Sequence, residues 1–157
     1  MSKFVDSIYQ IHNNPFVLAP LFVEFFRHIQ PKSKNILLAY LVLPLVLHED
    51  SKQSIVGAKI TSSIHTFSNK KKNIFGLQER VRLYKYLTNQ CLQYAMDNQM
   101  IKINENLIVE VLMIENKTVG NLKESLKASS NLYKVFRDLD VVAIYRLLGV
   151  KELWKAI

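Results

Sequence analysis

Residues 36–47, Ile-Leu-Leu-Ala-Tyr-Leu-Val-Leu-Pro-Leu-Val-Leu, run for twelve positions without a charge. A surface helix shows a polar stripe, and this run has none, so whatever it forms must be covered on every side. As a helix it would reach about 18 Å, well short of the roughly 30 Å of a bilayer core. The run therefore predicts the central helix of a small globular domain, capped by Ser33 or Asn35. Pro44 removes the amide that would bond to the Tyr40 carbonyl and bends the helix there.

A chain of 157 residues is long enough to bury such a run within one domain, 1–157. Four Gly and four Pro are too few for a loop-rich or all-β chain, and 49% hydrophobic with 22% charged residues is ordinary globular composition. Cys91, the single cysteine, falls on the apolar face of a predicted helix and reads as a buried structural thiol. Met1-Ser2-Lys3-Phe4 lacks the pattern of a signal peptide, which predicts a cytoplasmic setting without a membrane span.

The elements follow in order. Phe4, Val5, Ile8 and Tyr9 give a short helical lead-in. Asn14 is a good N-cap and Pro15 suits the first helical position of a helix reaching Ile29. After the central run, His48-Glu49-Asp50-Ser51 reads as a polar stop. Ser54–Phe67 then reads as a third helix, with Ala58, Ser62 and Ser63 small enough for close helix contact. Asn69–Asn73 reads as a charged break. A long amphipathic helix spans Gly76–Asn98. Leu77, Val81, Tyr84, Thr88, Cys91 and Ala95 lie on its inner face, and Glu79, Arg82, Tyr86, Asn89 and Gln93 on its outer one.

Residues 100–114 predict a hairpin, with an Asn of Asn104-Glu105-Asn106 supplying the left-handed conformation of the turn. Two C-terminal helices follow, Val119–Arg137 and Val141–Leu148, the second capped by Asp140 and closed by Gly149. The tail beyond Val150 carries Trp154. The fold class is mainly α: a winged-helix-like domain with one β-hairpin and flanking N- and C-terminal helices.

Catalytic signatures do not assemble. There is no GxGxxG, P-loop or GxSxG, and His12, His28, His48 and His65 show no metal-ligand spacing beyond His48 beside Glu49 and Asp50. The expectation is no enzyme, no cofactor and no metal.

Binding remains. The net charge of +8, from 21 Lys and Arg against 13 Asp and Glu, permits non-specific contact with DNA or an acidic surface. Lys70, Lys71, Lys72, Arg80, Arg82 and Lys85 occupy the position a recognition helix takes in a winged helix, so they are the nucleic-acid candidates. Arg82 and Lys85 project outward; Arg80 lies at the edge of the apolar face, where a basic residue packs its stem and pairs locally. Phe16, Phe22, Phe25 and Phe26 crowd one helix. They either join the core against the central run or leave an aromatic patch for a protein partner.

Asn14-Pro15 opening an aromatic helix, Val42-Leu-Pro-Leu-Val-Leu-His48, Ser62-Ser63, Arg80 with Thr88, and Leu147-Leu-Gly-Val150 together resemble the middle component of three-component ABC ATPase systems. The likeness spans residues 13 to 150. It implies a non-catalytic accessory subunit of bacterial conflict systems, including Lamassu-type anti-phage and anti-plasmid defence. Such a subunit sits between an SMC- or Rad50-like ABC ATPase and an effector, often a nuclease. Asn14, Pro15 and the phenylalanine face would then meet the partner. The alternative is a stand-alone winged-helix DNA-binding regulator. The Lys70–Lys72 run and the Trp154 tail depart from the family pattern.

Overall fold

The computed structural model describes residues 13–115 and 120–151. The expected lead-in, His12, residues 116–119 and Trp154 lie outside them.

Asn14 opens the first helix, α1 (Pro15–His28), as expected: its Oδ1 accepts from the Phe16 amide at 2.9 Å. The central run begins as a 3-10 turn, Asn35–Leu38, and continues as α2 (Ala39–Val46). Neither Ser33 nor Asn35 caps it. Lys34, in the left-handed conformation at φ 61°, holds the cap position, while the Asn35 side chain is buried and serves a strand far away. Leu38, Ala39 and every residue of 41–46 are buried, so the run is enclosed as its composition requires.

The polar residues after it start a helix instead of only stopping one. His48 takes the N-cap position of α3 (Glu49–Val56), whose first turn carries Glu49 and Asp50 where the helix dipole favours them. The single helix expected over Ser54–Phe67 is two helices. After α3 ends at Gly57, residues 58–62 form turns and α4 (Ile64–Asn69) begins afresh. Ser63 explains the restart: its hydroxyl accepts from the Thr66 amide, and the Thr66 hydroxyl accepts from the Ser63 amide. The small residues here serve turns and a cap, with Ser62 Oγ accepting from the Lys59 amide. The lysine run is likewise no plain loop. Lys71–Ile74 make the one-turn helix α5, and Asn73 is fully buried, donating from Nδ2 to the Phe67 carbonyl at 3.0 Å.

Long α6 (Leu77–Asp97) has the expected faces, with Leu77, Val81, Thr88, Cys91 and Ala95 buried. β1 (Ile101–Ile103) and β2 (Val109–Val111) pair antiparallel, with Ile101 opposite Val111. In the turn, Leu107 at φ 59° is left-handed, not an asparagine. Asn104 acts through its side chain, Oδ1 accepting from the Asn106 and Ile108 amides. After a 3-10 turn come α7 (Lys123–Phe136) and α8 (Val141–Leu148), capped by Asp140 and closed by Gly149 at φ 73°.

α1 packs on α6 and α7, while α2 touches α1, α3, α6 and α7. Among the described residues the chain is thus mainly helical with one antiparallel hairpin, and its order of elements is compatible with a winged-helix layout. No helix among the described residues is long and apolar enough to cross a membrane.

Candidate partner interface

The phenylalanines of α1 divide sharply. Phe22, Phe25 and Phe26 are buried, and Phe25 meets Phe26 and Phe136 edge-on at centroid distances of 4.9 and 6.1 Å. These three are core. Asn14 and Phe16 are exposed and Pro15 half-buried. Phe16 leans edge-on against Tyr94 of α6 at 5.7 Å.

Arg80 is turned inward. Nε donates to the Pro44 carbonyl at 3.0 Å, and the two terminal nitrogens donate to the Asn73 and Phe75 carbonyls. Burial lowers its pKa, opposed by the charge of Tyr84. One guanidinium thereby fixes the end of α5 and the start of α6 to the central helix. Gly76, at φ 70°, makes the turn between them in a conformation that costs glycine nothing. That anchoring sets the direction in which the outer face of α6 points.

The face carries charge and apolar surface together. Lys70, Lys71, Lys72, Arg82 and Lys85 are exposed. Arg82 pairs with Glu79 at 3.3 Å and Lys72 approaches Asp50 at 4.0 Å. Leu83 and Tyr86, three residues apart on one helix side, are 77% and 73% exposed, and Phe75 just before the helix is 81% exposed. Two large aromatic side chains and a leucine standing in solvent together are the residue types enriched at protein interfaces, with the lysines around them suited to a polar rim.

Phe75 and Leu83 were not singled out by the sequence pattern, and Tyr86 was placed only on the outer side of the helix. The signal was present: positions 83 and 86 fall opposite the buried stripe, where polar residues belong.

Cys91 is buried beneath this face, and desolvation pushes its thiol pKa up to about 12. His28 contacts Glu24 at 2.8 Å and stacks near Tyr133, and His65 is exposed. Among the described residues no three His, Cys, Asp or Glu side chains converge as metal ligands would.

A family model described as ABC-three component (ABC-3C) system Middle Component 3 matches residues 2–152. Neither a curated protein nor a solved structure matches the chain.

Proposed function

Since this chain belongs to the ABC-three component system middle component 3 family, we propose that it is a non-catalytic adaptor joining an SMC- or Rad50-like ABC ATPase to an effector, a nuclease, in bacterial anti-phage or anti-plasmid defence of the Lamassu kind. The observation that carries the adaptor reading is the outer face of α6 together with the turn before it, where Leu83, Tyr86 and Phe75 stand in solvent amid lysines. Burying them on a partner would remove apolar area from water without disturbing the core. In this reading the nucleotide chemistry belongs to the ATPase and the toxic chemistry to the effector.

Co-expression with the ABC ATPase and effector encoded beside it tests the proposal. The three subunits are expected to co-elute, and the complex is expected to protect cells against phage or plasmid. Failure of this chain to associate with either subunit overturns it, as does nuclease or ATPase activity in the purified chain alone.

A second reading, a stand-alone DNA-binding regulator, is favoured by Lys70, Lys71 and Lys85, for which the described residues offer no ion-pair partner. It requires binding to duplex DNA that weakens steeply with salt. Arg80 turns all three of its nitrogens toward backbone carbonyls, which holds it against the domain and away from a phosphate backbone.

A further inference from the structure

A second surface lies on the other side of the hairpin. In an antiparallel pair, alternate residues turn their backbone groups toward the partner strand and away from it. The Asn104 amide donates to the Ile108 carbonyl and the Leu112 amide to the Met100 carbonyl, so with the observed register Lys102 and Glu110 form the bonded pair between them. Val109 and Val111 therefore turn their backbone N–H and C=O groups outward, away from β1.

One end of that outer edge is occupied. The Val109 amide donates to Asn35 Oδ1 at 2.9 Å, and the Ile36 amide donates to the Leu107 carbonyl at 3.2 Å. The far end is tied back too, since Arg27 donates to the carbonyls of Met113 and Ile114, both at 3.1 Å. Between these ties the Val109 carbonyl and both backbone groups of Val111 receive no bond among the described residues. They open into a groove of about 580 Å³, walled by Phe26, Arg27, Ile29 and Pro31 and bordered by Ile114.

Charge gives the groove a polarity. Arg27 uses its terminal nitrogens on the hairpin, while its Nε is buried without a hydrogen-bond partner, the Glu24 carboxylate standing off at 4.0 Å. Glu110 also lines the groove, but its carboxylate is paired with Lys102 across the hairpin at 3.1 Å. A carboxylate arriving in the groove would meet the Arg27 cation through the second N–H of a terminal nitrogen, each of which gives only one to the hairpin, Nε being enclosed beside Glu24.

We propose that the open edge of β2 is a strand-addition site, which takes an extended segment of a partner subunit bearing a carboxylate that faces Arg27. The segment would add a third strand through the Val109 carbonyl and the Val111 amide and carbonyl, while Phe26, Ile29 and Pro31 cover its apolar side chains. The inference rests on the adaptor reading for the existence of a partner, yet it uses a surface separate from the α6 face.

Amide exchange tests it without mutation. In the free chain the Val111 amide exchanges faster than the Leu112 amide, and in the complex it becomes protected. Val111→Pro deletes that one donor at an edge position where proline is tolerated. It is expected to weaken association about tenfold, the equivalent of one hydrogen bond of roughly 1.4 kcal/mol, with an unchanged melting temperature. If the variant does not fold, exchange in the wild-type complex decides. Short overlapping peptides covering both partner subunits supply the probe: the binders should carry an acidic residue and lose affinity for the proline variant. A complex that forms with Val111 unprotected and the proline variant binding normally overturns this site and leaves the adaptor reading intact. Binders of neutral or basic sequence overturn the carboxylate. No complex at all overturns both.

Discussion

Asn35 Oδ1 accepts the Val109 amide at 2.9 Å across 74 residues of chain, with both residues buried. The bond ties the start of the central helix to the hairpin. Asn35→Leu keeps the branched shape and heavy-atom count but leaves the Val109 amide without an acceptor, an expected cost of about 1–3 kcal/mol. A lowered urea midpoint with an unchanged slope would show it.

Arg80→Ala strips three carbonyls of their donor at once. Hydrogen bonds to a charged group are each worth about 1.5–3 kcal/mol, but neighbouring losses do not add, so about 2–4 kcal/mol is expected from chemical denaturation. Lysine cannot reproduce the fork and should rescue little. Arg82→Ala, on the exposed side of the same helix, should fall within about 0.5 kcal/mol of wild type.

The phenylalanines and the α6 face separate stability from binding. Phe22→Ala empties a fully buried site and should cost about 3–5 kcal/mol. Leu83→Asp and Tyr86→Ala should leave the melting temperature near its wild-type value and release the partner in a pull-down. Loss of folding in the latter two would mean that the face belongs to the core.

Cys91 gives a pH prediction. An ordinary thiol ionises near pH 8.5, whereas burial pushes Cys91 up to about 12. Above pH 8.5 the unfolded chain releases a proton that the folded one keeps, so stability is full below that pH and falls as pH rises toward 12. At pH 8 the thiol of the native chain should resist a disulfide reagent for as long as it stays folded and react at once in denaturant. Rapid native labelling would contradict its burial.

What the sequence disclosed was whatever is encoded locally. Asn14, Asp140 and Gly149 act within a few residues of themselves, and the buried stripe of α6 repeats along the helix from Leu77 to Ala95, so caps and faces could be read from spacing. Ser54–Phe67 misled because its apolar period continues through a break. Ile55, Ile64 and Phe67 do all reach the core, but from two helices separated by the Ser63–Thr66 capping box. Asn35 and Asn73 looked like a cap and a loop residue. Their partners, among them Val109, Phe67 and Ser54, are set by tertiary folding, which no local pattern encodes. The proposed partner surface was only half legible: Leu83 and Tyr86 fall opposite a stripe that spacing already defines, whereas Phe75 lies before the helix, where no period applies and its exposure is set by the Arg80 anchor and the turn at Gly76.

The segment just before the central helix has a kinetic meaning as well. Lys32 donates to the Leu139 carbonyl, Asn35 accepts from Val109, and the Leu37 carbonyl accepts from the Tyr145 hydroxyl. Every one of these ties reaches more than 70 residues ahead. During synthesis the most apolar stretch of the chain therefore leaves the ribosome long before the residues that fasten it. Closing such long loops slows folding, and in that interval an uncovered Ile36–Leu47 is a target for chaperones or for premature association. Translation beside its partners, as from a shared message, would shorten the exposure.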